Sequence, residues 1–240
     1  MAEYTGDDVT HSQQVRHFIG GVQKTEKITT TGTDETNTYI VLAKKAEYGS
    51  IQLLVDGVLT GVDQFSDAVG SVAADDSSGV QSIKYTGLVA DQELVIYYLD
   101  IETTPLSEVA VSKGVTTDWT ANEITEEVDG QANQITVTGA TRQTATLNSL
   151  VYNQDLPKAF QGDQVIDSSS NKLWTTKQTA FRKVGAMVSK KTDASGNLVY
   201  KYFFYGCTPT GRNLDLGTGV IYKNSFTMNV DDHAEFEVSA

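Results

Sequence analysis

The chain has 240 residues, 39% of them hydrophobic, which is enough to bury the core of one large domain or two small ones. Its single cysteine excludes an intramolecular disulfide framework, and its formal net charge of −13 argues against binding nucleic acid by neutralising phosphates. Thr, Val and Tyr are abundant and Pro is scarce, which favours strands over helices. We therefore predict an all-β protein.

The charge is unevenly distributed along the chain. Residues 1–104 carry 16 acidic and 6 basic side chains, whereas residues 158–223 carry 10 basic and 4 acidic ones. These segments could attract each other between copies of the chain. Solvated surface charge is the commoner explanation, and we prefer it.

The first 38 residues are polar and rich in Thr. The apolar patch at residues 15–22 predicts a docking strand, and residues 29–38 predict a loop or an exposed edge. His11 and His17 lie near the patch, but their spacing matches no metal motif, so we expect no metal there. The sequence shows neither a signal peptide nor an apolar run of membrane-spanning length, so we expect neither classical secretion nor a membrane span.

Strands then follow in quick succession, predicted over residues 39–43, 50–58, 81–86 and 93–101. Asp56 and Gly57 have the residue types of a tight hairpin turn. Asp75 and Asp76 lie in a polar loop that lacks the alternating oxygen ligands of a calcium loop, so we interpret it as a solvated loop.

The run Thr103, Thr104 and Pro105 interrupts this pattern. We place a domain boundary there, between an N-terminal β module of residues 1–104, with residues 1–38 partly extended, and a second domain of residues 105–240. The spacing of strands and turns in the module is common in small β-sandwich modules. The strand run from residue 39 to residue 102 could fold as a unit of about 65 to 70 residues, which is close to the lower limit for an independent domain.

The first half of the second domain is predicted to contain short strands and long connections. We expect strands over residues 109–111, 135–138 and 144–150, and a polar, acidic connection over residues 114–134. Residues 152–176 are predicted to form a second long connection. It carries apolar side chains that a free loop would not leave in water, which points to a partner surface; they are Phe160, Val165, Ile166, Leu173 and Trp174.

The strongest local signal is the β-hairpin predicted over residues 182–206. Two β-prone runs, residues 184–189 and 198–205, flank a polar turn at residues 190–197. Alternation places Lys201 and Phe203 on one face and Tyr202 and Phe204 on the other. Because neither face is polar, we predict that both meet protein, either of the same chain or of neighbouring subunits. Two last strands are predicted over residues 220–230 and 234–238.

The sequence contains no recognisable catalytic motif, whether of a serine hydrolase, a zinc protease or a nucleotide-binding loop. Cys207 has no His near it in sequence, so we interpret it as a small buried apolar residue. His233, Glu235 and Glu237 alternate with apolar residues, as on a half-buried strand, so we do not interpret them as a ligand set. We expect no enzymatic activity, no cofactor and no metal site.

A family resemblance rests on the layout of the second domain. An acidic segment with a Trp, residues 115–128, is followed by a strand pair around residues 135–137 and 144–150. A long connection, the hairpin at 183–206 and a Gly-Thr-Gly turn at 217–219 come next. In this order, residues 106–240 resemble the major tail tube proteins of long-tailed viruses of bacteria and archaea.

The resemblance implies a β-sandwich domain that forms hexameric rings, in which hairpins of six subunits close a β-barrel around a DNA channel. It assigns the barrel contact to Val184, Ala186, Val188, Val199, Lys201, Phe203 and Tyr205. It assigns the contact between stacked rings to Phe160, Val165, Ile166, Leu173 and Trp174. Residues 1–104 would be an added immunoglobulin-like module.

The resemblance also implies partners and a location. The chain would be a structural protein of the virion tail, assembled in the host cytoplasm, whose main partner is itself. Terminator, tape measure and distal tail proteins would be further partners, DNA would pass with weak non-specific contact, and no membrane would be involved. The alternative is a capsid decoration protein, or an adhesion protein that binds a receptor or glycan.

Overall fold

The computed structural model describes residues 15–31, 39–68, 73–127, 134–148, 151–152, 164–166, 172–174, 184–215 and 223–238. In these residues the fold consists of strands joined by turns and loops, which confirms the all-β prediction. None of this described part forms a helix that could cross a membrane.

In chain order the strands are β1 (Val15–Ile19), β2 (Val22–Thr29), β3 (Tyr39–Ala46), β4 (Gln52–Val55), β5 (Val58–Thr60), β6 (Gln64–Ser66), β7 (Val80–Lys84), β8 (Glu93–Asp100) and β9 (Ser107–Ser112). They continue as β10 (Gly114–Glu127), β11 (Gln134–Asn148), β12 (Val151–Tyr152), β13 (Gln164–Ile166), β14 (Lys172–Trp174), β15 (Val184–Thr192), β16 (Leu198–Asp215), β17 (Lys223–Val230) and β18 (Asp232–Glu237).

Strand β10 corrects the prediction of a polar connection over residues 114–134. It is 14 residues long and pairs antiparallel with β11. Strand β11 is itself a single strand where two short strands were predicted. Between its acidic residues β10 contains several β-branched Thr residues, which favour extended backbone. Acidic side chains are well tolerated on a strand at the margin of a sheet, so charge concealed a strand from the sequence analysis.

A nine-stranded sheet has the order β10-β11-β17-β16-β15-β1-β9-β12, with β18 also paired to β16. Strand β1, from the predicted N-terminal module, lies between β15 and β9. Near one end of this order, residues Gln143 to Leu147 of β11 pair with Val230 to Phe226 of β17. A bulge interrupts the β16–β17 ladder between Pro209 and Gly211.

A seven-stranded sheet has the order β5-β4-β8-β3-β7-β6, with β2 also paired to β8. Strand β2 pairs with β8 along its whole length, from Val22 opposite Asp100 to Thr29 opposite Glu93. Asp56 and Gly57 join β4 to β5 with φ angles of 50° and 81°. The tight turn predicted there is confirmed.

By its contacts the chain forms two compact units, each assembled from separate segments. One contains Met1–His17, Val109–Val184 and Phe204–His233. The other contains Phe18–Glu108, Gly185–Phe203 and Ala234–Ala240. The core of the second unit is apolar and consists of Ile40, Leu42, Ala46, Leu53, Val55, Ala74, Val80, Ile83, Leu88, Leu94, Ile96 and Tyr98. The predicted division between residues 104 and 105 stays a prediction, because a single conformation does not test whether the two parts fold independently.

Candidate functional site

The predicted hairpin is present, formed by β15, β16 and the turn at residues 193–197. Asp193 organises the turn, because one of its carboxylate oxygens accepts hydrogen bonds of 2.8 Å from the backbone N–H groups of Ser195 and Asn197. The Asn197 side chain donates to the other oxygen at 3.1 Å. These bonds, led by the one from Asn197, hold the pKa of Asp193 below its ordinary value. Gly196 takes the positive φ of 86° that closes the turn.

Both faces of β15 are covered by the chain itself. Ala186, Met187, Val188 and Ser189 are consecutive and all buried, so side chains that point in opposite directions are out of water. The same holds for Phe203, Phe204 and Tyr205 on β16. The prediction that both faces of the hairpin meet protein is therefore confirmed for these positions.

The structure locates most of the residues assigned to a barrel shared between subunits. Ala186, Val188, Lys201, Phe203 and Tyr205 are buried within the single chain, and Val199 is half-buried. The side chain of Val184 lies outside the described part. Their contact with neighbouring subunits stays a prediction, since one chain is present.

Lys201 is fully buried and is the centre of a group of charges. Its ammonium contacts a carboxylate oxygen of Glu47 at 2.7 Å and also pairs with Asp76. It donates a further hydrogen bond of 2.8 Å to the backbone oxygen of Tyr48 and lies over the ring of that residue, 5.3 Å from its centroid. The ammonium is thus in contact with two carboxylates, one backbone oxygen and one aromatic ring.

Lys190 completes this group from the neighbouring strand. It contacts Glu47 at 2.9 Å and Asp76 at 2.8 Å, and its ammonium lies 5.1 Å from the centroid of the Phe18 ring. We refer to Lys190, Lys201, Glu47 and Asp76 as the ion cluster. It contains two cations and two anions, so its formal charge is zero.

Burial and pairing act in opposite directions on the pKa values of the cluster. For Lys201 burial dominates and lowers the pKa below its ordinary value, although the charge of Glu47 opposes this. For Lys190 burial also favours the neutral amine, but Glu47 and Asp76 outweigh it and the pKa is raised. For Asp76 burial is outweighed by the two lysines, so its pKa is lowered. Lys201 is therefore the more readily deprotonated of the two lysines.

An aromatic group is present in the same unit. Tyr48 packs edge to face against Phe65 and Phe236, with ring centroids 5.6 Å and 5.3 Å away. Gly49 follows Tyr48 with a φ of 82°, and a side chain there would overlap the Phe236 ring. The rings bring an apolar wall next to the ammonium of Lys201.

The sequence analysis missed the ion cluster. It interpreted the loop with Asp76 as solvated, whereas Asp76 pairs with two lysines of the hairpin. The acidic first part and the basic segment do attract each other here, within one chain. A basic residue in a strand of aromatic and aliphatic neighbours, as Lys201 is, was the available signal, because such a cation is buried only with partners.

The residues assigned to ring stacking lie in a part of the chain that is described only in short pieces. Phe160 falls outside the described residues. Residues 152–176 were predicted as a connection without strands, but they include β13 and β14, which pair antiparallel with Val165 opposite Leu173 and Gln164 opposite Trp174. The backbone thus brings Val165 and Leu173 together and places Ile166 opposite Lys172. Their contact with a second ring stays a prediction.

A long ribbon leaves the margin of the nine-stranded sheet. Strand β11 pairs with β17 only over Gln143 to Leu147, whereas β10 follows β11 as far as Glu127 opposite Gln134. Beyond the bulge between Ala121 and Glu123, residues 123–127 therefore pair with residues 134–138 as two strands. We refer to these two segments as the ribbon.

Three other residues considered in the sequence analysis are also located. Cys207 is fully buried, as expected for a small apolar residue, and its thiol donates to the backbone oxygen of Phe204 at 3.4 Å. His233 lies 3.1 Å from the side-chain oxygen of Gln143. His17 is fully buried, and its Nε2 lies 2.7 Å from the Ser112 hydroxyl oxygen. In the described ranges no group of three or more His, Cys, Asp or Glu has the arrangement of a metal site.

No protein-family model matches the chain, and no curated protein matches it. Among solved structures, a chain from the PVC sheath–tube complex of an extracellular contractile injection system, in the extended state, aligns with it. The alignment covers 88% of this chain and 100% of that one, with 12% identity and a TM-score of 0.33. At that score we infer neither fold nor function from the similarity.

Proposed function

We propose that this chain is a tail-tube structural protein whose copies form stacked, hexameric rings around a channel for DNA. The proposal starts from the resemblance of residues 106–240 to tail tube proteins. The observation that carries it is the long edge strand β10 with its ribbon. A non-enzymatic, self-assembling role is the function that this arrangement supports best.

Among the described residues, the ribbon consists of two strands without a third beside them. Two-stranded ribbons are only marginally stable in water, because each strand lacks a second neighbour. In the described part, β10 also stands at the end of the strand order, so one side of its 14 residues offers backbone groups for another strand. A strand from a neighbouring copy would pair with these groups and continue the sheet from subunit to subunit.

Charge supports a conduit rather than a DNA-binding surface. Strong binding to phosphates requires many Lys and Arg contacts acting together, and the chain has a net charge of −13. Two of its lysines, Lys190 and Lys201, are already paired with carboxylates. Weak, non-specific contact would let DNA pass without being held.

Negative-stain electron microscopy and light scattering of the purified chain over a range of concentrations test the proposal. We expect rings or tubes. Thr116→Lys adds a charge at an exposed position of β10 and should reduce assembly, because charges on edge strands disfavour pairing between copies. Leu59→Lys is the matched control, since Leu59 is 68% exposed on β5, at the end of the other sheet. This variant should assemble like the original chain.

A folded monomer at all concentrations and salt levels would overturn the proposal. A small oligomer that binds capsids or glycans would instead establish the decoration or adhesion alternative. Equal loss of assembly in both lysine variants would show that β10 is not the contact edge.

A further inference from the structure

We propose that the ion cluster is the site of a self-formed covalent bond, an isopeptide between the Lys201 amine and the Asp76 carboxyl group, with Glu47 as the proton carrier. The proposal does not depend on the tube function, since all four residues of the cluster belong to one chain. It rests on contact, burial and the identity of the neighbouring groups.

The amine and the carboxyl group it would attack are already in contact. The Lys201 ammonium and the Asp76 carboxylate form an ion pair, so no rearrangement of the backbone is needed to bring them together. Lys201 is completely buried, and the side chain of Asp76 is 35% exposed. A lysine held in this way stays next to the carboxyl groups of Asp76 and Glu47.

Burial prepares Lys201 to act as an amine. Desolvation lowers its pKa, which favours the uncharged form that has a free electron pair. The ring of Tyr48 covers the amine, with Phe65 and Phe236 behind it. Aromatic rings in this position keep water away from the amine, which is fully buried.

The two remaining members of the ion cluster supply the other requirements. Glu47 lies 2.7 Å from the Lys201 nitrogen and is only 4% exposed, which places it to accept and return a proton. Lys190 contacts the Asp76 carboxylate at 2.8 Å and would stabilise the negative charge that develops on it. Amine, carboxyl group, proton carrier and cation therefore meet at one point.

The step balances without any other reagent. Glu47 takes a proton from Lys201 and passes it to the Asp76 carboxylate, which leaves a free amine beside a neutral carboxyl group. The amine attacks the carboxyl carbon and a C–N bond forms. Glu47 then moves a second proton from the nitrogen to the hydroxyl oxygen, the C–O bond breaks and one water molecule leaves. An ammonium and a carboxylate together become an amide and water, so no electrons are gained or lost. Lys190 and Glu47 remain as a neutral pair.

Mass spectrometry of the denatured full chain tests the proposal. We expect the purified protein to be lighter than its sequence by one water molecule. Proteolysis should release a branched peptide that joins the Asp76 segment to the Lys201 segment, identified by fragmentation. A chain of full mass, or a water loss that maps to another residue, would overturn the proposal.

Four variants separate the roles of the residues. Lys201→Arg keeps the charge but removes the amine, so it should have its full mass. Asp76→Asn should still form the bond, with loss of ammonia in place of water. Glu47→Gln should leave most molecules unlinked, and water loss that is unchanged in this variant would contradict the role of Glu47. Lys191→Arg, at the next position of β15 and outside the ion cluster, is the matched control and should stay linked; loss of the branched peptide there would contradict the placement of the bond in the ion cluster.

Discussion

Mild acid, between pH 6.5 and pH 5, should destabilise the fold through His17. Its side chain is fully buried in β1, 2.7 Å from the Ser112 hydroxyl, and burial lowers its pKa to about 3 from the model-compound value of 6.5. The folded state therefore holds the neutral imidazole. The unfolded chain takes up a proton as the pH falls through 6.5, which the folded chain does not.

The sign and size of the effect follow from this difference. The stability contributed by neutral His17 is fully present above pH 6.5 and is lost progressively as the pH falls toward 3. Each pH unit in that window costs about 1.4 kcal/mol, so the loss at pH 5 is about 2 kcal/mol in the free energy of unfolding.

Urea unfolding of the chain at pH 7 and pH 5 measures this loss. His17→Gln removes the titrating group while its amide can still bond to Ser112, so the difference between the two pH values should shrink by about 2 kcal/mol. Ser112→Ala is the matched control. It removes the hydrogen bond but leaves the imidazole buried, so the pH dependence should persist. A His17→Gln variant with the original pH dependence would refute the reasoning.

Four further substitutions test other features of the fold and of the proposed assembly. Phe203→Ala empties a fully buried position in the hairpin and should cost about 3–5 kcal/mol, measured by urea unfolding. Gly206→Ala forces a side chain onto a φ of 61° and into the Asp231 carboxyl group, and should cost about 1–3 kcal/mol in the same assay. Thr30→Val removes the hydroxyl that accepts from the Gln92 N–H at 2.9 Å and donates to Val89, a loss of about 2 kcal/mol. Trp174→Ala should weaken ring stacking by about 2 kcal/mol while the circular dichroism of the subunit stays unchanged; a variant that unfolds would place Trp174 in the core of its own subunit.

Local features of the fold could be predicted from the sequence where neighbouring residues determine them. The hairpin around Asp193 and the turn at Asp56 and Gly57 depend on turn residues flanked by β-prone runs. Strand β10 was missed because its acidic residues resemble those of a solvated connection. What makes it a strand is its pairing with β11.

The ion cluster could not be predicted because its members are distant in the chain. Lys201 and Glu47 are 154 positions apart, and no local pattern relates them. Their pairing depends on which strands become neighbours, and that is settled only when the sheets form. The sequence does show that Lys201 is an exception among apolar neighbours, which identifies half of the pair and leaves its partner unknown.

The segmented composition of the two compact units has a consequence for synthesis on the ribosome. One unit needs residues from Phe204–His233, and the other needs Ala234–Ala240 together with segments made much earlier. A chain that grows from its N-terminus therefore cannot complete either unit until these late residues have left the exit tunnel. Nascent chains would therefore stay incompletely folded until translation of this region is over. If copies of the chain assemble as proposed, this delay keeps them from joining their neighbours on the same messenger RNA before they are finished.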